Sequence, residues 1–299
     1  MCLGVIRAMM ADNGTNSSSR SPGSDLHLTS LQNPRVKFAA SLRERRDRDR
    51  EQLFLIEGYR ELRRALDNRF PVRELFICPE LFQGENEPAL ISAFRDSGTS
   101  IVSTSPEVFG RLAYRDRPEG LLGIAPQVHR ALEEIPLGDC ALLLIAVAIE
   151  KPGNLGTILR SADATGVTGI VICDRCTDLF NPNVVRASTG TLFSLPIAEA
   201  NTADTLAWLR RHRIRTLAAT PHTEVSYTDV DMTVPLAVVV GCEMVGLSAD
   251  WLAGAELKVR IPMLGQADSL NVATATTILL YEAVRQRARR DTQREASRP

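Results

Sequence analysis

The sequence predicts two α/β domains in tandem, the second built on a parallel sheet. Three observations carry this. Short apolar runs alternate with longer helical patterns along residues 31–130, and again along 139–290. In the second stretch the runs are apolar throughout rather than at every other position, as strands buried on both faces require. The length of 299 residues suits two domains with sizeable cores.

The elements follow in order. Residues 1–30 contain DNGTNSSSRSPGSD, which cannot bury enough apolar surface to order itself, so a disordered tail is expected. In 31–130, FLIEGYRELRRAL passes from strand into helix. VRELFIC and TSIVST read as strands, PALISAFRDSG as the helix between them, and GLLGIAPQV as a last strand. HRALEEIPLGD reads as a linker, at 131–138. In 139–290, strands are predicted at 141–149, 168–173, 215–220, 236–241 and 257–261, and helices at 155–165, 202–213 and 270–288. RQRARRDTQREASRP looks like a fraying basic helix end, and 291–299 like a flexible tail.

Composition excludes several classes. Hydrophobic residues make up 44% and charged ones 24%, an ordinary soluble balance. The longest apolar run, Ala141 to Ile149, falls well short of the roughly 20 residues that span a bilayer. No signal-peptide core is evident near the N-terminus, so a cytoplasmic protein is expected. Of six cysteines only Cys173 and Cys176 make a C-x-x-C pair, and the four histidines do not complete a zinc pattern; no metal is expected. The net charge of −1 is neutral evidence on nucleic acid, but arginine supplies nearly all the positive charge. Arginine is the better residue for phosphate.

Ligands of such sheets sit at the carboxyl ends of the strands. The loops after Ile149, Thr220, Val240 and Ile261 are therefore where chemistry is expected. After Ile149, Gly153, Asn154 and Gly156 read as a tight turn into a helix, with Arg160 one to two turns in. Helix starts favour polar or anionic ligands, yet P-G-N-L-G-T lacks the glycine spacing of a dinucleotide fold. Asn154 alone reads equally as a helix cap. After Val240 comes GCEMVGLS, with Gly241, Glu243, Gly246 and Leu247. After Ile261 comes a polar tip, Gln266 to Ser269, then Asn271, opening a helix with no charge from Leu270 to Tyr281.

In this order the three segments, G-N-x-G-x-x-x-R, G-x-E-x-x-G-L and I-P-M-x(5)-S-L-N-V, resemble the three motifs of the SpoU, or TrmH, family of SPOUT-class RNA ribose 2′-O-methyltransferases. RASTGTLFSLPI, Arg186 to Ile197, looks like the family's linking segment. The resemblance covers essentially all of 139–288. Residues 31–128 are similar to the accessory substrate-binding domain of many members, an L30-like α/β fold. Met244 and Val245 stand where many relatives have small residues, and a bulkier loop there is a departure.

The resemblance implies a deep trefoil knot, a homodimer and S-adenosyl-L-methionine as cofactor. Thr220, Gly241, Ile261, Met263 and Leu270 would cradle the cofactor. Asn154, Arg160, Glu243, Ser269 and Asn271 would form the catalytic wall. A guanidinium does not give up its proton in a protein, so Arg160 is expected to bind the target phosphate and stabilise developing alkoxide charge. Arg35, Lys37, Arg43, Arg45, Arg46 and Arg48, continued by Arg50, Arg60, Arg63 and Arg64, are candidates for RNA phosphate contacts. The bland reading of that run is a salt-bridged helix face, because Glu44, Asp47, Asp49 and Glu51 interleave. The accessory domain favours rRNA, most simply 23S, over tRNA. Housekeeping and antibiotic resistance both stay open, as does an RNA-binding assembly factor that has lost catalysis.

Overall fold

A computed structural model describes residues 26–242 and 244–296. The N-terminal half is a five-stranded mixed sheet of β1 (Leu26–Leu28), β2 (Leu53–Glu57), β3 (Glu74–Ile77), β4 (Ser100–Thr104) and β5 (Leu121–Pro126), in the order β1-β4-β3-β5-β2. Its helices are α1 (Pro34–Ser41), α2 (Arg45–Glu51), α3 (Tyr59–Asp67), α4 (Glu87–Asp96) and α5 (Pro106–Leu112). The expected tail is shorter at its inner end, because Leu26–Leu28 pair in parallel with β4; residues 1–25 lie outside the described residues. Helix α1 forms because the Asn33 side chain accepts from the Arg35 N–H and Pro34 sits in the first turn.

The C-terminal half is a six-stranded, all-parallel sheet of β6 (Leu142–Val147), β7 (Gly169–Cys173), β8 (Ile197–Ala200), β9 (Arg215–Ala219), β10 (Leu236–Val240) and β11 (Leu257–Val259). Every residue of β6, β7 and β10 is buried, as their unbroken apolar sequences demand. Helices α6 (Pro152–Ala164), α7 (Pro182–Ser188), α8 (Thr202–Arg211), α9 (Ala249–Gly254) and α10 (Val272–Ala296) complete it. Strand order is β11-β9-β10-β6-β7-β8. From β6 the chain goes to β7 on one side, while β10 lies on the other, so a topological switch point falls between β6 and β10.

Two expectations are corrected. The 131–138 segment is not a free linker: Leu132 and Ile135 are buried and join the cluster of Leu143, Val171 and Trp208. The last helix runs on to Ala296, well into the stretch expected as a flexible tail. Two side chains explain how it is held. Gln286 accepts from the Met232 N–H (2.9 Å) and donates to the Val230 carbonyl (3.0 Å). The Arg287 guanidinium donates to the carbonyls of Met232, Cys140, Ala141 and Val234.

The two halves share one core. Phe54 of β2 packs tilted against Phe180 at 4.7 Å between centroids, and Phe70 likewise against Phe193 at 4.8 Å. Within this contact Arg48 of α2 is 1% exposed. It donates to the Asp178 carboxylate from Nη2 (2.7 Å) and Nε (3.0 Å), and from Nη1 to the carbonyls of Leu42 (2.9 Å) and Arg43 (2.7 Å). Asp178 in turn accepts from the Phe180 N–H at 2.9 Å. Arg48, expected to face RNA, is a buried staple between the halves, with a hydrogen bond at each of its three guanidinium nitrogens. A buried pair is tolerated when its remaining donors and acceptors are filled in this way.

Candidate active site

The four loops singled out from the sequence leave four neighbouring strands, because β11, β9, β10 and β6 are adjacent in the sheet. All four are parallel, so their loops share one edge.

After β6 the backbone turns at Ala148, whose φ is 50° and whose N–H donates to the Cys173 carbonyl at 2.9 Å. Helix α6 then begins at Pro152. Gly153, Asn154 and Gly156 are therefore already helical, not a turn before the helix. Asn154 is not the N-cap either; that position is Lys151, which makes no side-chain cap. Gly156 serves packing. A Cβ there would lie 2.5 Å from the Ala187 Cβ and 2.8 Å from the Val184 carbonyl, so only glycine lets α6 and α7 approach this closely.

Asn271 provides the cap of α10. Its Oδ1 accepts from the Ala273 N–H (2.9 Å), and its carbonyl accepts from the Ala275 N–H (2.9 Å). Its Nδ2 donates to Asn154 Oδ1 at 3.2 Å. Further along, the Ser161 and Thr277 hydroxyls meet at 2.7 Å. The polar tip of an apolar helix is thus explained: Val272, Ala273, Leu279, Leu280 and Ala283 are buried, while the tip reaches the start of α6. Ser269, a residue that could have capped this helix, is exposed.

The loop after β10 folds back on itself. A Cβ on Gly241 would come within 2.5 Å of the Gly246 carbonyl, and the Gly246 N–H donates to the Cys242 carbonyl at 2.9 Å. Met244 and Val245 stand at its tip, 85% and 82% exposed, so their bulk is spent in solvent rather than inside the loop. Glu243 lies outside the described residues. Thr220, after β9, is buried; its N–H donates to the Val259 carbonyl (2.9 Å) and its Oγ1 accepts from the His222 N–H (3.2 Å). Ile261, Met263 and Leu270 are half-buried, each leaving apolar surface at the loop edge.

Arg160 opens onto a cleft of ≈ 380 Å³ that it shares with Gly153, Asn183, Arg186 and Thr189. Both Arg160 and Arg186 are exposed, and neither guanidinium has an ion pair or hydrogen bond among the described residues. Two uncommitted guanidinium groups in one cleft suit an anion such as a phosphate. Asn183 and Arg186, on α7, were not singled out from the sequence. Their signal was the tight α6–α7 packing, which a glycine in a motif does not reveal by itself. Asn183 Nδ2 also donates to the Tyr114 hydroxyl at 2.8 Å, which brings the N-terminal half to the cleft.

The remaining RNA-facing candidates divide. Arg35 pairs with Glu74 (3.3 Å), Arg45 with Asp49 (3.4 Å) and Arg46 with Asp47 (3.8 Å). Lys37 is exposed, and the Arg43 guanidinium lies over the Tyr114 ring at 5.6 Å. No group of three metal-ligating side chains occurs among the described residues, and no described helix is long and apolar enough to cross a membrane.

Residues 141–281 match the SpoU rRNA Methylase family, and residues 33–123 an MRM3-like substrate binding domain. A 23S rRNA (uridine(2479)-2′-O)-methyltransferase of Streptomyces viridochromogenes is 33% identical, over 84% of this chain and 89% of that protein. The chain belongs to the SpoU methylase family. The 23S rRNA (guanosine(2553)-2′-O)-methyltransferase RlmP of Bacillus subtilis is 28% identical, over 85% of this chain and 97% of that one. An AdoMet-bound rRNA methyltransferase from Sinorhizobium meliloti superposes with a TM-score of 0.81 at 33% identity, covering 88% of this chain and 98% of that one. As a SpoU methylase with a separate substrate-binding domain, the chain is an RNA methyltransferase whose family uses S-adenosylmethionine.

Proposed function

We propose that the chain methylates a ribose 2′-hydroxyl of rRNA, with 23S rRNA as the target. The observation that carries this is the pair of uncommitted arginines, Arg160 and Arg186, in a cleft beside the Asn154–Asn271 hydrogen bond. Relatives named as 23S rRNA 2′-O-methyltransferases, aligned over 84% and 85% of the chain, support the choice of RNA.

The loops after β9, β10 and β11 suit S-adenosylmethionine: half-buried Ile261, Met263 and Leu270 offer apolar surface for an adenine, and backbone at Thr220 and Gly241 offers polar edges. Bound there, the cofactor supplies a methyl group already activated on a sulfonium. The chain's own part is positional. Arg160 and Arg186 hold the phosphate next to the target ribose, and Arg160 stabilises negative charge as the hydroxyl loses its proton. Asn271 fixes the Asn154 amide, leaving Asn154 oriented towards the acceptor. Ser269 and Glu243 complete the wall in this reading. A trefoil knot, a homodimer and a cytoplasmic location belong to the same proposal; the return of α10 from the sheet edge at β11 to the face of α6 is the feature that accords with a knot.

Methyl incorporation from labelled S-adenosylmethionine into unmodified 23S rRNA, 16S rRNA and bulk tRNA tests this. Label is expected in 23S rRNA at one position resistant to alkaline cleavage. Arg160→Ala is expected to cut turnover about 10²–10³-fold, as loss of one charge-stabilising donor does, with cofactor affinity unchanged. Label confined to tRNA would replace the substrate. Cofactor binding without transfer to any RNA would favour an assembly factor.

A further inference from the structure

We infer that Tyr114 and Arg64 of the N-terminal half are positioning residues for Arg186: they fix helix α7 at its two ends, an inference that rests on the phosphate reading of the cleft above. The Arg186 guanidinium is exposed and has no ion pair or hydrogen bond among the described residues. Nothing at its charged end holds it, so its place is set by the backbone of α7. That helix has only seven residues, short of the roughly 12 that an isolated helix needs in water. On one side it packs on α6, where a Cβ on Gly156 would meet Ala187 and Val184. On the other it meets the N-terminal half.

In the first turn of α7, Asn183 Nδ2 donates to the Tyr114 hydroxyl at 2.8 Å. Asn183 stands three residues before Arg186, so the two share a helix face, and both line the cleft with Arg160. Tyr114 is itself anchored. The Glu57 carboxylate accepts from the N–H groups of Tyr114 (2.7 Å) and Arg115 (3.2 Å), and the Arg115 guanidinium donates to Glu61 (2.8 Å). At the far end, Thr189 closes α7 in the left-handed region, at φ 52°. Arg64 of α3 donates from Nη1 to the Thr189 carbonyl (2.9 Å) and hydroxyl (3.2 Å). The next residue, Gly190, lies against α3: a Cβ there would come 3.0 Å from the Arg64 Cβ and 3.1 Å from the Glu61 Cα. Between the two ends, Pro182 and Val185 line one small crevice with Leu55 and Tyr114.

The N-terminal half thus builds part of the cleft without reaching the reacting atoms. The Tyr114 hydroxyl is spent on Asn183 and the Arg64 guanidinium on Thr189, and both of those partners line the cleft. A guanidinium carried on a fixed backbone gives up less freedom when it takes a phosphate, so the gain is in substrate affinity.

The test pairs kinetics with hydrogen exchange on the full chain. Tyr114→Phe keeps the ring and removes one hydroxyl; Arg64→Met keeps the stem and removes the donors. Each is expected to raise KM for unmodified 23S rRNA about fivefold, the worth of one hydrogen bond, with kcat within about twofold and S-adenosylmethionine affinity by calorimetry unchanged. The amides of α7 should exchange about fivefold faster while those of β6 and β7 keep their wild-type rates. In an Arg186→Ala background Tyr114→Phe should raise KM no further, because residues that act through one another are not additive. A comparable further rise there would overturn the inference, since Tyr114 would then act on RNA by another route. So would wild-type exchange of α7 in both variants, or faster exchange spread evenly over the sheet, the mark of general loosening. Faster α7 exchange, beside an Arg186→Ala variant that methylates rRNA like the wild type, would instead sink the phosphate reading of the cleft and leave the hold on α7 standing.

Discussion

Helix α2 and the α6–α7 cleft both present arginine, and the contrast between them is instructive. The α2 segment RRDRDRE is the denser, yet its arginines are committed: Arg45 to Asp49, Arg46 and Arg50 to Asp47, Arg48 to Asp178. The cleft has only two, Arg160 and Arg186, and both are uncommitted. Charge density along a sequence measures neither field nor binding; what binds phosphate is charge left over after the fold has taken its share. In α2 only Arg48 ties the two halves together while its neighbours pair within their own helix, and the sparse pair in the cleft is the one the proposed function uses.

Breaking the staple is expected to have the largest effect. Arg48→Ala leaves Asp178 buried without its cation and should cost about 3–5 kcal/mol of unfolding free energy, measured by urea denaturation. A loss below about 1 kcal/mol would mean that the pair adds little to the phenylalanine packing and the other contacts between the halves. Next comes Arg186→Ala, expected to raise KM for rRNA about tenfold, or ~1.4 kcal/mol, with a smaller change in kcat. Arg45→Ala sits at the small end, within about 0.5 kcal/mol in stability and within about twofold in RNA affinity. A larger RNA effect there would erase the contrast between the two regions.

A pH measurement sharpens the picture of the contact near Tyr114. Burial pushes the Glu57 and Glu61 carboxyls up from 4.5, although Arg115 opposes the shift. A raised carboxyl favours folding while protonated, so its contribution is full below 4.5 and is lost as pH rises through the folded value. Glu61→Gln removes one such group. Its stability relative to wild type should therefore climb as pH is raised from about 4.5 and then level off, followed by thermal melts. A flat difference would mean that Arg115 fully compensates the burial.

How much of this was legible beforehand depended on sequence distance. The strands β6, β7, β9, β10 and β11 were visible because unbroken apolar runs need no partner to be recognised. Strand β8 and helix α7 were not, since RASTGTLFSLPI mixes small, polar and apolar residues and reads as connection; only packing against Gly156 organises it. Arg48 was misread because its partner Asp178 lies 130 residues away, and nothing local distinguishes it from Arg46. The proposed catalytic wall was legible as motifs, but the geometry changed the reading of two members: Asn154 is inside a helix and Asn271 is the cap. Tyr114 and Asn183 carried no local signal at all, because their contact exists only between the halves.

The hydrogen bond between Asn154 and Asn271 spans 117 residues of chain. On the ribosome, Asn154 is therefore made long before its partner, and α6 must wait through five further strands and three helices for α10 to arrive. Until then the nascent polypeptide lacks the contact that joins α6 to the tip of α10. In the proposed function the substrate belongs to the machine that makes the enzyme, and a chain arrested between these two asparagines lacks the Asn154–Asn271 contact that the proposed site is built on.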